Sequence, residues 1–143
     1  MLESSNLAPI QALCNLLDAT SGGAYKHSLE DVAALFEKGE RIERVVVANT
    51  FPYALLVGTT RQVMSLLPVL ASVTVLWQGP YAAIQYIDCY KRHWWHSFRT
   101  IRFNLTARTS DGRLFDTHEA FSDVGREKAE DFVQFVQKKQ REL

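Results

Sequence analysis

A cysteine and two histidines follow one another at short intervals in the middle of the chain, at Cys89, His93 and His96. Thiolate sulfur and imidazole nitrogen are ligands that zinc prefers. On a helix this spacing would gather all three side chains, but on a strand Cys89 and His93 share one side and His96 points to the other. The surrounding residues predict a strand and no fourth ligand is evident. We therefore expect no metal site and no cofactor.

Basic and aromatic residues alternate irregularly from Lys91 to Arg108, and we call this stretch, which contains no acidic residue, the basic-aromatic segment. Its cations could neutralise nucleic-acid phosphates or anionic lipid headgroups, and its tryptophans could stack on bases or lie at a membrane interface. A solvated strand pair with tryptophans packed beneath it would have the same composition. The candidate partner surface consists of Lys91, Arg92, Trp94, Trp95, His96, Arg99, Arg102 and Arg108.

Asp116 and His118 are two residues apart, the spacing of side chains on one face of a strand. With Ser110 or Thr106 nearby, they could activate a hydroxyl nucleophile. Pairs of this kind on an exposed strand are usually polar surface, and no pattern indicates an oxyanion site. We therefore expect a protein that is not an enzyme. The charged run from Glu40 to Arg44 is expected to solvate a strand edge, and His27 is expected to lie in a loop.

The 143 residues include sixteen acidic and sixteen basic side chains, so the total charge gives no overall attraction to nucleic acid or membranes. Between Val45 and Ile87 the only charged residue is Arg61. This stretch also contains polar residues and two prolines, Pro68 and Pro80. Both features favour buried strands over a membrane-spanning helix. No basic, apolar leader precedes the first helix, so the sequence predicts a cytoplasmic protein without a transmembrane segment.

Two short helices are predicted before residue 40. In the first, an apolar stripe recurs at helical spacing, and Pro9 suits the first turn. In the second, Ser28 is the predicted N-cap, and Gly39 fits the left-handed position after the helix end. The stripe of the first helix consists of Ile10, Leu13, Cys14 and Leu17.

After residue 40 the pattern of apolar residues becomes strand-like, with a period of two residues. It predicts strands at 42–48, 53–57, 62–66, 73–77, 83–93 and 100–108, with a seventh after the turn at 110–112. A three-residue loop there sets Ala107 opposite Phe115 and Leu105 opposite Thr117, which keeps the aromatic residues with the core. A last helix is predicted from about 125 to 139. Its apolar stripe consists of Ala129, Phe132, Val133 and Val136.

Seven strands followed by one amphipathic helix is the element order of the pleckstrin-homology-like (PH-like) barrel, and the local sequence resembles the short bacterial PH-like domains. The resemblance covers roughly residues 29–138. It depends on the order of several short motifs rather than on any one of them. These are Gly39-Glu40, Leu55-Leu-Val57, Thr59-Thr-Arg61-Gln-Val63, Ile84-Gln-Tyr86-Ile87-Asp88 and Lys128-Ala-Glu-Asp-Phe132-Val133.

The resemblance implies an α+β fold, in which a barrel of about seven antiparallel strands is capped by the C-terminal helix. We expect one domain, with a helical extension at 1–39, the barrel at 40–121 and the capping helix at 122–143. The implied function is a non-catalytic module for protein contacts or self-assembly, whose ligand is unknown. The alternative is binding to an anionic surface through the basic-aromatic segment, where nucleic acid is less expected than peripheral contact with a membrane.

Overall fold

The computed structural model describes residues 4–20, 23–47, 55–93, 101–109, 114–121 and 126–143. At 4–6, 86, 88–93, 101–109, 114–121, 126 and 129 it describes the backbone alone. The described residues form three α-helices, seven strands and one 3-10 turn. In order they are α1 (Ser4–Thr20), α2 (Leu29–Ala33), β1 (Ile42–Val47), β2 (Leu55–Thr59), β3 (Gln62–Val69), β4 (Ser72–Pro80), a 3-10 turn (Tyr81–Ala83), β5 (Ile84–His93), β6 (Ile101–Thr109), β7 (Leu114–Phe121) and α3 (Arg126–Arg141).

The seven strands are arranged in two antiparallel sheets. The first has the order β1-β2-β3-β4 and the second has the order β5-β6-β7. The mixed α+β class and the closing helix agree with the prediction. The closed barrel is not confirmed, because the pairings found among the described residues join no strand of the first sheet to a strand of the second.

The first sheet is covered on both faces, because alternate residues of its strands contribute to two separate hydrophobic clusters. On one face, Leu56 and Val63 pack with Phe132 of α3. On the other face, Leu55 and Met64 pack with the N-terminal helices. Burial on both faces explains why these strands are continuously apolar instead of alternating with polar residues.

The N-terminal helices close the outer face of this sheet. Ile10, Leu13 and Leu17 of α1 are at most 1% exposed and belong to the same cluster as the strand residues, as the predicted stripe requires. Ser28 accepts a hydrogen bond from the backbone N–H of Asp31 at 3.0 Å, which confirms the predicted N-cap. The prediction of two short helices is wrong for α1, which has 17 residues and carries Pro9 inside the helix rather than in its first turn.

The register of the last strand pair is partly as predicted. Ala107 lies opposite Phe115, which confirms the three-residue alignment, although the turn itself falls outside the described residues. The register shifts between Asn104 and Thr106, so that Thr106 lies opposite Asp116 and Asn104 lies opposite Ala120. The predicted pairing of Leu105 with Thr117 falls in this irregularity and stays a prediction. Bulges of this kind bend a strand and increase its twist.

A second bulge lies in β4 and changes the predicted end of that strand. Ser65 lies opposite Trp77 and Leu66 lies opposite Val75, which leaves Leu76 as the extra residue. The bulge moves Trp77 to the face that packs against the α3 cluster, whereas Val75 packs against the helical cluster. The predicted break at 78–80 is wrong, since β4 continues in register with β3 as far as Pro80.

α3 buries the apolar side that its sequence predicts. Phe132, Val133 and Val136 are buried against the first sheet and the start of β5. On the same helix, Gln140 donates hydrogen bonds from Nε2 to the backbone oxygens of Tyr81 at 3.1 Å and Ile84 at 2.6 Å. The helix is therefore held by buried apolar contacts and by polar contacts to the connection between the sheets.

None of the helices found within the described ranges is long and apolar enough to cross a membrane. The longest, α1, contains Asp18, Pro9 and several polar residues.

Candidate functional site

The basic-aromatic segment is only partly covered by the structure. Lys91 and Arg92 lie on β5, and Arg102 and Arg108 lie on β6. Arg92 is directly opposite Arg102 in the register, which brings two basic residues to one position of the sheet. Four other residues of the candidate surface fall outside the described residues, namely Trp94, Trp95, His96 and Arg99. The surface as a whole therefore stays a prediction.

The candidate metal and catalytic residues lie where only the backbone is described, or outside the described residues. Cys89 and His93 are on β5, and Asp116 and His118 are on β7. Among the side chains that the structure describes, no group of three histidine, cysteine or acidic residues is close enough to hold a metal ion. Both hypotheses stay untested for the residues that motivated them.

Glu40 is buried, which corrects the prediction that its charged run solvates a strand edge. The residue is only 2% exposed. Its carboxylate accepts hydrogen bonds from Thr59 Oγ1 at 2.5 Å, from Gln62 Nε2 at 3.0 Å and from the backbone N–H of Glu37 at 3.0 Å. A buried carboxylate needs such donors to replace water. Glu40 therefore joins the segment after α2 to the turn between β2 and β3.

Tyr81 completes this polar cluster from the 3-10 turn. Its hydroxyl donates a hydrogen bond to the backbone oxygen of Thr59. Burial raises the pKa of Tyr81, and the carboxylates of Glu43 and Glu40 raise it further. The phenol consequently stays protonated and serves as a donor. Every polar group in the cluster binds another part of the fold, so the cluster has a structural role.

His27 lies in the connection between α1 and α2, as predicted, and forms a second polar pair with Asp18. Asp18 Oδ1 lies 2.9 Å from His27 Nδ1 and accepts a hydrogen bond from the His27 backbone N–H at 2.8 Å. These two bonds lower the pKa of Asp18. A carboxylate and an imidazole in this arrangement could form a general base. However, the His27 side chain is only 1% exposed, so a substrate could not reach its other nitrogen.

An open groove of about 400 Å³ runs between β1 and α3. Two ion pairs cross the groove, one between Lys139 and Glu43 at 2.9 Å and one between Arg44 and Asp131 at 3.3 Å. Between them lies the ring of Phe135, with the Arg44 guanidinium 5.2 Å and the Lys139 ammonium 5.7 Å from its centre. Because Arg44 and Lys139 each have a carboxylate and an aromatic ring as partners, these contacts help to attach α3.

The remaining candidate surface is the β3–β4 hairpin, Gln62–Pro80, which we call the uncharged hairpin because none of its residues is charged. Three large apolar side chains stand out from it. Val69 is 43% exposed, Leu70 is 62% exposed and Leu76 is 47% exposed. Exposed edge strands normally carry charges, lysine above all, that prevent pairing with other chains. The uncharged hairpin carries no such residue.

Leu70 at the hairpin tip is unfavourable in two ways. Its backbone φ is +55°, in the left-handed region that costs an L-residue with a side chain roughly 1–2 kcal/mol. Its apolar side chain is also largely in water. Glycine would remove both costs. Sequence reasoning missed this position, although a tight turn at Leu70-Ala71 without glycine, asparagine or aspartate is an unusual pattern that could have indicated it.

Comparison with known proteins gives one similar structure. No family model matches the chain, and no curated protein matches it. The chain is similar to the crystal structure of a pleckstrin homology domain from Shewanella amazonensis SB2B. The two are 14% identical, and the match covers 66% of this chain and 83% of that one with a TM-score of 0.43.

Proposed function

We propose that this chain is a non-catalytic PH-like interaction module of the cytoplasm that binds its partner through the uncharged hairpin. The observation that carries the proposal is Leu70, which is 62% exposed and left-handed at the tip of an uncharged edge hairpin. Left-handed residues other than glycine are strained, and such positions are often found at functional sites. Large apolar side chains exposed on one surface are typical of protein-binding surfaces.

At the two other polar sites, several charged groups already have partners within the fold. Glu40 is bound by donors from its own fold, and Arg44 and Lys139 of the groove between β1 and α3 are paired with Asp131 and Glu43. A ligand that binds these groups would have to displace existing partners. At the uncharged hairpin it would displace only water from apolar side chains, which is favourable.

We expect Leu70→Gly to abolish binding while leaving the fold intact. Glycine adopts the left-handed conformation without strain, so the melting temperature should stay the same or rise slightly. The immobilised full chain should retain protein from a native lysate, and Leu70→Gly should not. The matched control is Leu143→Gly, which removes a leucine that is 77% exposed outside the hairpin. Retention of the same proteins by Leu70→Gly would contradict the proposal.

The second candidate function is binding to an anionic surface through the basic-aromatic segment. The pairing of Arg92 with Arg102 favours it, since like charges at opposite register positions repel each other unless an anion lies between them. We expect phosphatidylserine vesicles or single-stranded DNA to bind at low ionic strength, and to bind less as salt is added.

The variant Arg92→Gln/Arg102→Gln should weaken this binding more than Lys26→Gln/Lys38→Gln, which removes the same charge from exposed positions elsewhere. A flotation assay for vesicles and a fluorescence-anisotropy titration for DNA measure both effects. If neither vesicles nor DNA bind at low ionic strength, this second function is excluded.

A further inference from the structure

Three residues of β5 with reactive or polar side chains share one face of the second sheet with a buried residue. Ile87, which identifies this face, is 5% exposed and belongs to the hydrophobic cluster of α3. β5 pairs with β6 without a register shift from Tyr86 to His93, and successive residues of a strand lie on opposite faces. Cys89, Lys91 and His93 therefore lie on the face of Ile87, which we call the inner face of the second sheet.

The register places each of these three residues opposite an apolar residue of β6. The pairs are Cys89 with Leu105, Lys91 with Phe103 and His93 with Ile101. The basic-aromatic segment is thereby divided between two faces, since Arg92 and Arg102 lie opposite each other on the other face. A cation on an apolar face loses hydration unless a counter-charge or water accompanies it. The inner face thus combines apolar positions with a lysine that a bound anion would stabilise.

The acidic residues of the second sheet are poorly placed to supply that counter-charge. Asp88 and Asp116 both lie opposite Thr106, a register position on the other face. Glu119 lies on β7, and the order β5-β6-β7 places β6 between that strand and β5. Because neighbouring strands are about 4.8 Å apart, β7 is two such spacings away from β5. An anion from outside the sheet therefore suits Lys91.

The lysine and the histidine lie toward the end of β5 that is farther from its described contacts with α3. Gln140 of α3 donates a hydrogen bond to the backbone oxygen of Ile84 at 2.6 Å, and Ile84 and Ile87 are buried in the cluster of α3. Each second residue beyond them is about 7 Å further along the strand. On the first sheet, the face of Val63 continues along β3 to Val69, which is 43% exposed. This end of the first sheet is therefore open to solvent on the face that shares a cluster with the second sheet.

We propose that the inner face of the second sheet binds a single-chain carboxylate, with the chemistry of a fatty acid, whose carboxylate is bound by Lys91 and His93. This site goes beyond the proposed partner surface and does not depend on it. Lysine supplies one positive charge and neutral histidine one ring N–H donor, which suits a group with a single negative charge and two acceptor oxygens. The alkyl chain takes the apolar register positions of β6, where burial of each methylene favours binding.

Isothermal titration calorimetry of the full chain with hexanoate, octanoate and decanoate tests the site. Each added methylene should tighten binding by up to roughly fourfold, the factor that corresponds to burial of one CH₂ group. Lys91→Met keeps a long apolar side chain but removes the charge, and should raise the dissociation constant for octanoate at least about tenfold. The dissociation constant for octanol, which has no charge, should not change. His93→Phe should weaken octanoate binding about two- to tenfold, as expected for the loss of one hydrogen bond.

The matched control is Lys38→Met, the same substitution at an exposed position before β1, which should leave octanoate binding unchanged. Thermal melting followed by circular dichroism shows whether each variant folds, and Lys91→Gln replaces Lys91→Met if the latter does not. Three results would overturn the inference: a wild-type chain that binds neither octanoate nor decanoate, an equal loss of octanoate binding for Lys91→Met and Lys38→Met, or an equal loss of octanol and octanoate binding for Lys91→Met. Because Leu70→Gly is tested by retention of protein, failure of this site leaves the proposed function standing.

Discussion

Replacing Phe132 with alanine is expected to lower the free energy of unfolding by about 3–5 kcal/mol. Phe132 is 1% exposed and lies in the cluster that joins α3 to Leu56 and Val63 of the first sheet. The truncation removes the buried ring and leaves a cavity between helix and sheet, which cannot collapse without moving both elements. Urea denaturation followed by circular dichroism measures the loss.

The control for this experiment is Gln134→Ala, since Gln134 lies on the exposed side of the same helix. We expect the free energy of unfolding of this variant to change by no more than about 0.5 kcal/mol. A Phe132→Ala protein within about 1 kcal/mol of the wild type would mean that α3 does not carry the stability of this cluster.

Glu40→Ala is expected to lower the free energy of unfolding by about 2–3 kcal/mol, a large effect for a charged residue. The substitution leaves Thr59 Oγ1, Gln62 Nε2 and the backbone N–H of Glu37 without their common acceptor, at a position that is 2% exposed. Water cannot replace the carboxylate there without moving the turn after β2. The turn and the end of α2 should therefore loosen together.

The matched control is Glu43→Ala in the same charged run. Glu43 pairs with Lys139 at 2.9 Å, but its side chain is 30% exposed, and ion pairs near the surface are worth about 0–1 kcal/mol. Chemical denaturation of both variants under one set of conditions gives the comparison. An equal decrease in the free energy of unfolding for the two variants would show that burial of Glu40 does not contribute to stability.

Much of the fold could be predicted because its signals are local. Apolar and polar residues alternate from Ile101 to Arg108, which predicted β6. Because Phe115 must share the buried face, its register opposite Ala107 could also be predicted. The helical spacing of Phe132, Val133 and Val136 likewise predicted which face of α3 is buried. In each case one buried face determines the pattern of the residues.

The features that could not be predicted depend on contacts between distant parts of the chain. Burial of Glu40 could not be predicted because the donors to its carboxylate, Thr59 and Gln62, lie about twenty residues further along the chain. The bulge at Leu76 was hidden because apolar residues at 73, 75 and 77 suggest a regular strand, although they pack on different faces. The separation of the strands into two sheets is a tertiary property that no single strand encodes.

The candidate surfaces were predicted with less success than the fold, because apolar residues on an exposed hairpin have the same composition as buried ones. Leu70 and Leu76 could be distinguished from core leucines only when their exposure and the φ angle of Leu70 were known.

Because the two faces of the first sheet are covered by different parts of the chain, they fold at different times during synthesis on the ribosome. The cluster with α1 and α2 uses only residues up to Val75, so it can form while translation continues. The opposite cluster waits for Phe132 and Val136, roughly 60 residues later, or about 3–12 seconds at usual elongation rates. During that interval Leu56 and Val63 present an open apolar layer that a chaperone could shield. Shortening the delay with faster codons should therefore reduce the dependence of the yield on chaperones.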